Sequence, residues 1–202
     1  MRRLSLFLAL TTLVGGAAPA LLADSIPYSN VGTPTAAITL AAVDSGSVTG
    51  YFIGSSAGDD SMIRMVDVTS GYTSAYFFAN HSTAEGSSQN FGAVTAGDIL
   101  VFELLDLTKG LTLSTDAAAN LDGVNHGYST AYAGGMLGSN LFPAGTYIGM
   151  EDTPWGDYDY NDNQFLFTNV AVAPMPEPGS LILLGTGMLG VAGTLRRKMF
   201  AR

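Results

Sequence analysis

Apolar runs of strand length recur along this chain, and helix-length periodicity does not. The runs fall at residues 48–53, 62–68, 75–79, 99–105, 111–113, 146–150 and 165–172, with Gly, Asn, Asp and Ser between them. β-branched and aromatic residues are frequent inside them, as a pleated, half-buried surface favours. Only "STDAAANLDG" could form a short helix. Repeated short strands with turn chemistry predict an all-β fold, an antiparallel β-sandwich or jelly-roll-like domain over residues 24–173. No internal repeat of fixed period stands out.

Composition narrows the chemistry. Cysteine is absent, so disulfides, zinc–thiolate sites and thiol nucleophiles are excluded. Only 12% of residues are charged, well below the usual quarter. All 17 acidic residues lie between Asp24 and Glu177, where only Arg64 and Lys109 are basic, which leaves −15 on that stretch. Such a surface repels nucleic acid and anionic lipid and attracts cations.

Both ends of the chain carry addresses. "MRRLSLFLALTTLVGGAAPALLAD" has a basic start, a short apolar run and small residues, the order of a secretory signal peptide over residues 1–23. Signal peptidase would cut after Ala20 or Ala23. At the other end, Pro176-Glu177-Pro178 sits in a linker, residues 174–180. A glycine-containing apolar stretch follows within residues 181–202, then Arg196-Arg197-Lys198. An apolar helix of residues 181–195 would be about 22 Å long, short of the ~30 Å hydrocarbon core. The basic cluster would stay cytoplasmic, with the domain outside.

Pro-Glu-Pro, apolar helix and arginine cluster, in that order, resemble the PEP-CTERM sorting signal. The resemblance implies recognition by an exosortase-like enzyme, cleavage near Pro176-Glu177-Pro178 and release to the cell surface or extracellular space. It also implies a Gram-negative source that makes exopolysaccharide, a polymer the protein would meet outside.

"WGDYDYNDNQF", residues 155–165, crowds carboxylates and amides just ahead of an apolar run. In a loop, oxygens of Asp157, Asp159, Asn161 and Asp162 can turn inward around one ion, with Glu151 or Asp152 completing the shell. Calcium takes six to eight such oxygens. An EF-hand is rejected, because its sixth position would be Asp162 rather than Gly and its twelfth Thr168 rather than Glu. The other reading is a turn satisfied by its own Asx caps. The segment "GMEDTPWGDYDYNDNQFLF" also resembles the end of a DUF4114-type domain of secreted bacterial proteins. Glu151, Asp152, Gly156, Asp157, Asp159, Tyr160, Asn161 and Asp162 fall on that pattern, and Asn163-Gln164 depart from it.

Catalytic signals are thin. Gly54-Ser55-Ser56-Ala57-Gly58 matches G-x-S-x-G, but no helix follows to make a nucleophile elbow. His81 and His126 lie in polar loops. Asp157 and Asp159 are too close in one loop to flank a sugar from opposite sides. The expected function is therefore a non-catalytic exported surface or matrix protein with an acidic, calcium-binding β-domain. The alternative is a carbohydrate-binding module or adhesin using Trp155, Tyr158 and Tyr160. The weakest reading is a secreted hydrolase built on Ser56.

Overall fold

In strand β6 (Ile99–Asp106), burial alternates residue by residue, and strand β3 (Ser61–Asp67) does the same. Successive side chains of a strand point to opposite faces, so each strand turns one apolar row inward. Ile63, Met65, Leu100, Phe102 and Leu104 form that row. The computed structural model describes residues 26–173. The expected signal peptide, the linker at 174–180 and the sorting segment at 181–202 with its apolar helix lie outside these residues.

Two antiparallel sheets carry the fold. One has the order β13 (Val170–Val172), β1 (Leu40–Ala42), β6, β3 and β4 (Tyr72–Thr73), with β7 (Leu111–Ser114) also on β6. The other has the order β5 (Ser88–Val94), β2 (Gly46–Ser55), β12 (Asn163–Thr168), β11 (Gly145–Met150) and β8 (Gly127–Tyr132). A hairpin of β9 (Gly135–Leu137) and β10 (Asn140–Phe142) stands apart. All of these pairings are antiparallel.

Both sheets feed one core. Phe102 of the first sheet and Phe167 of the second have ring centroids 4.1 Å apart. Phe52, Phe91 and Phe165 complete an aromatic cluster around them. Strand β12 is covered on both faces: Phe165 and Phe167 enter this core, while Leu166 joins a second cluster with Ile53, Leu137, Phe142 and Tyr147.

Three expected elements differ. Residues 75–79 form no strand: Phe77 makes a single bridge to Ile63, and Phe78 is left-handed at φ 59. The run at 165–172 is two strands in different sheets. Asn169, at φ 63, turns the corner between them, and its side chain bonds both Asp44 N and Asp44 O. Asn tolerates this conformation because its short polar side chain satisfies local backbone. The expected helix is one 3-10 turn, Ala117–Ala119, capped by Asp116.

Candidate metal centre

The acidic stretch is the loop that joins β11 to β12, neighbours in the middle of the second sheet. Their register pairs Met150 with Asn163, so Glu151 and Asp162 stand at the two feet of the loop. The register of β12 on β2 shifts between Gln164 and Phe165. Three bulky residues of the loop have positive φ: Trp155 at 55, Tyr158 at 51 and Tyr160 at 57. Each costs about 1 to 2 kcal/mol relative to the right-handed conformation. The loop therefore coils instead of extending, and residues along it do not alternate between two faces.

Coiling brings one carboxylate oxygen each from Glu151, Asp157 and Asp159 within 4.8 Å of one another. Asp157 is exposed, Asp159 half-buried and Glu151 fully buried. Glu151 Oε1 accepts a 2.5 Å hydrogen bond from Tyr160 N. Among the described residues, Glu151 Oε2 has no hydrogen-bond partner. A Cβ on Gly156 would stand 2.5 Å from that oxygen, so the missing side chain leaves space beside it. Burial pushes the Glu151 carboxyl up to about 7, and the charges of Asp162, Asp157 and Asp159 add to the effect against the opposing Tyr160 N–H. Like charges at this separation repel by on the order of 1 to 4 kcal/mol per pair, depending on solvent access.

The other expected ligands lie to one side. Asp162 Oδ2 accepts from Asp152 N at 3.0 Å. Its carbonyl accepts from Ser55 Oγ, Ser56 N and Ala57 N. Burial and the neighbouring Asp152 raise the Asp162 carboxyl to about 7, and burial also raises Asp152. Asp152 feels Lys109, Asp59 and Asp106. Asn161 is spent on local bonds: its N donates to Asp159 Oδ1 at 3.0 Å, its Nδ2 to Asp159 Oδ2, and its Oδ1 accepts from Ser56 Oγ.

The catalytic candidates are also placed. Ser56 Oγ bonds Asn161, while the ring nitrogens of His81 meet Asp60 Oδ1 and Ala57 O, both at 2.9 Å. His126 is not on a polar surface: it is fully buried, with Nε2 3.0 Å from Asp122 Oδ2. Of the three rings proposed as a sugar platform, only Trp155 is exposed, at 73%, whereas Tyr160 is 1% exposed and packs against Tyr28 and Tyr128.

Sequence reasoning found the carboxylates and named Gly156 within the DUF4114-type resemblance, but it missed what Gly156 does and what supports the loop. Gly156 matters through the space it leaves beside Glu151 Oε2. The segment before β1 supports the loop: Gly32 N donates to Asp157 O at 2.9 Å, and Thr35 N to Tyr160 Oη at 2.8 Å. These contacts span more than a hundred positions, beyond the reach of any local signal.

The class of protein is thus an antiparallel all-β domain with an acidic loop joining two central strands. Residues 176–198 match the PEP-CTERM protein-sorting motif. The chain is accordingly an exported protein, sorted by an exosortase-type enzyme and membrane-anchored before processing. No match was found among curated proteins. Among the described residues, no helix is long and apolar enough to cross a membrane.

Proposed function

We propose that the chain is a non-catalytic cell-surface or extracellular-matrix protein whose β-sandwich domain holds a calcium ion. Glu151, Asp157 and Asp159 would supply direct ligands. Asp162, Asn161 and Asp152 would shape and charge the surroundings. The observation that carries this reading is Glu151 Oε2, buried beside two other carboxylates and without a partner among the described residues. Buried charges are ordinarily paired or coordinate metals, and oxygen-only donors suit calcium better than a transition metal. Three carboxylates leave coordination positions for carbonyls or water, as flexible calcium shells allow. The likeness of residues 151–162 to a DUF4114-type ending belongs to the same reading. Exposure of only Trp155 among the three platform rings does not favour the carbohydrate-binding alternative.

Calcium titration of the exported protein, followed by thermal unfolding, tests the reading. At about a hundred times the dissociation constant, calcium should stabilise the fold by roughly 2.7 kcal/mol. Magnesium should do less, because it demands stricter octahedral geometry and keeps its waters. Superimposed melting curves in calcium and in chelator would refute it.

A further inference from the structure

Resting on the calcium reading above, we infer that the same ion acts as a latch for residues 26–39, the strap that runs before β1. The strap joins neither sheet, and most of its residues are exposed. Ile26 rests on the second apolar cluster, and Ala36 O accepts from Asn125 Nδ2 at 3.2 Å. Ile38 packs on the main core, Thr39 O accepts from Ala173 N at 2.8 Å, and the Tyr28 ring also meets Tyr128 of β8 at 5.0 Å. The ties of residues 28–35 otherwise reach the acidic loop. Gly32 N bonds the Asp157 carbonyl, Thr35 N bonds Tyr160 Oη, and the Tyr28 ring stands edge-on to the Tyr160 ring with centroids 5.0 Å apart.

Two loop residues therefore serve both sides. Asp157 offers its carboxylate to the acidic trio and its carbonyl to the strap. Tyr160 gives its N–H to Glu151 and its hydroxyl and ring to the strap, and that hydroxyl also donates to Asn125 O at 3.0 Å. With the ion bound, two of the trio's three negative charges are balanced and the coiled backbone through Trp155, Tyr158 and Tyr160 is held. Without it, repulsion inside the trio pushes the loop open, and the strap loses two acceptors and its aromatic seat together. Linkage makes the coupling reciprocal: a docked strap must strengthen calcium binding by the factor with which calcium strengthens docking. Extracellular modules bind calcium at about 0.1 to 1 mM, so the latch would set after export.

The test is amide hydrogen exchange on the full-length chain in mild detergent, with calcium chloride or with chelator, alongside calorimetric calcium titration. Calcium should slow exchange at Gly32 and Thr35 by about tenfold, a usual size for coupled sites, whereas slowing at the core Phe102 amide reports only the stabilisation of the whole fold. Tyr28→Ala, which removes no oxygen from the trio, should weaken calcium binding by a similar factor. Thr35→Pro, which removes the N–H donor to Tyr160 Oη and fixes the local backbone, should weaken it in the same direction. Protection at Phe102 shows that each variant is folded. Calcium binding without a change in exchange at Gly32 and Thr35, or with unchanged affinity in both variants, overturns the latch and leaves the ion site standing. Absence of binding heat in the parent chain overturns the ion site and the latch together.

Discussion

The aromatic core and the acidic loop sit at opposite extremes of one domain. Between the sheets, Phe102, Phe165 and Phe167 are fully buried and pack ring against ring. Nothing there waits for a partner. In the loop, three bulky residues are left-handed, and a buried glutamate oxygen has no hydrogen bond among the described residues. The core is stable through what it excludes from water. The loop is completed only by what it attracts. A fold can hold such a loop because both its feet are fixed by the register of β11 on β12.

The sharpest way to separate the two regions is to damage the core. Phe102→Ala should cost about 3 to 5 kcal/mol, the usual range for deleting a buried aromatic ring. Chemical denaturation should give the same loss in calcium and in chelator, since the ring is remote from the loop chemistry. A loss that depends on calcium would mean the two regions are not independent.

Glu151→Gln attacks the loop. It keeps an acceptor for Tyr160 N but removes the charge. The gain of roughly 2.7 kcal/mol expected from saturating calcium should vanish. In chelator at pH 8 the variant should be as stable as the parent or slightly more so, because repulsion within the trio falls. A variant destabilised equally in both buffers would instead give Glu151 a purely structural role.

The smallest effect is on pH dependence without metal. Glu151 and Asp162 are raised to about 7 in the folded chain, from ordinary values of 4.5 and 3.8. The folded state then holds protons that the unfolded chain has released. Stability from that source is complete below about pH 4 and is lost as pH rises towards 7. In chelator, Tm should therefore fall between pH 5 and pH 8 by at least about 3 °C, since 1 kcal/mol moves Tm by ~2–4 °C at this size. In calcium the order should reverse, because protons compete with the ion for the same oxygens. A flat profile in chelator would show that these carboxyls are not held high by burial.

Legibility followed the range of the interactions. Strands β3 and β6 could be read because each is an apolar run of strand length bounded by turn residues. Strands β5 and β8 could not, because "SQNFGAV" and "GYSTAY" hold few apolar residues in alternation and pair through backbone. Their glycines fit close neighbours: a Cβ on Gly92 would meet the Tyr72 ring at 2.4 Å, and one on Gly127 would meet Thr115 Cγ2 at 2.4 Å. Neither neighbour is near in sequence.

The sequence by itself determined the all-antiparallel character of the domain, its negative charge and the sorting motif at residues 176–198, because each depends on composition or on short-range order. It also placed six oxygen-bearing side chains near one loop. Only the tertiary structure decided which of them meet. Left-handed turns at Tyr158 and Tyr160 bring Asp157 and Asp159 to Glu151, while the start of β12 gives Asp162 to Asp152 and to the 55–57 turn. The strap from residue 26 then closes on that loop from the far end of the chain. Local propensity is blind to such choices, because the distance between residues remote in sequence is set by packing of the whole chain.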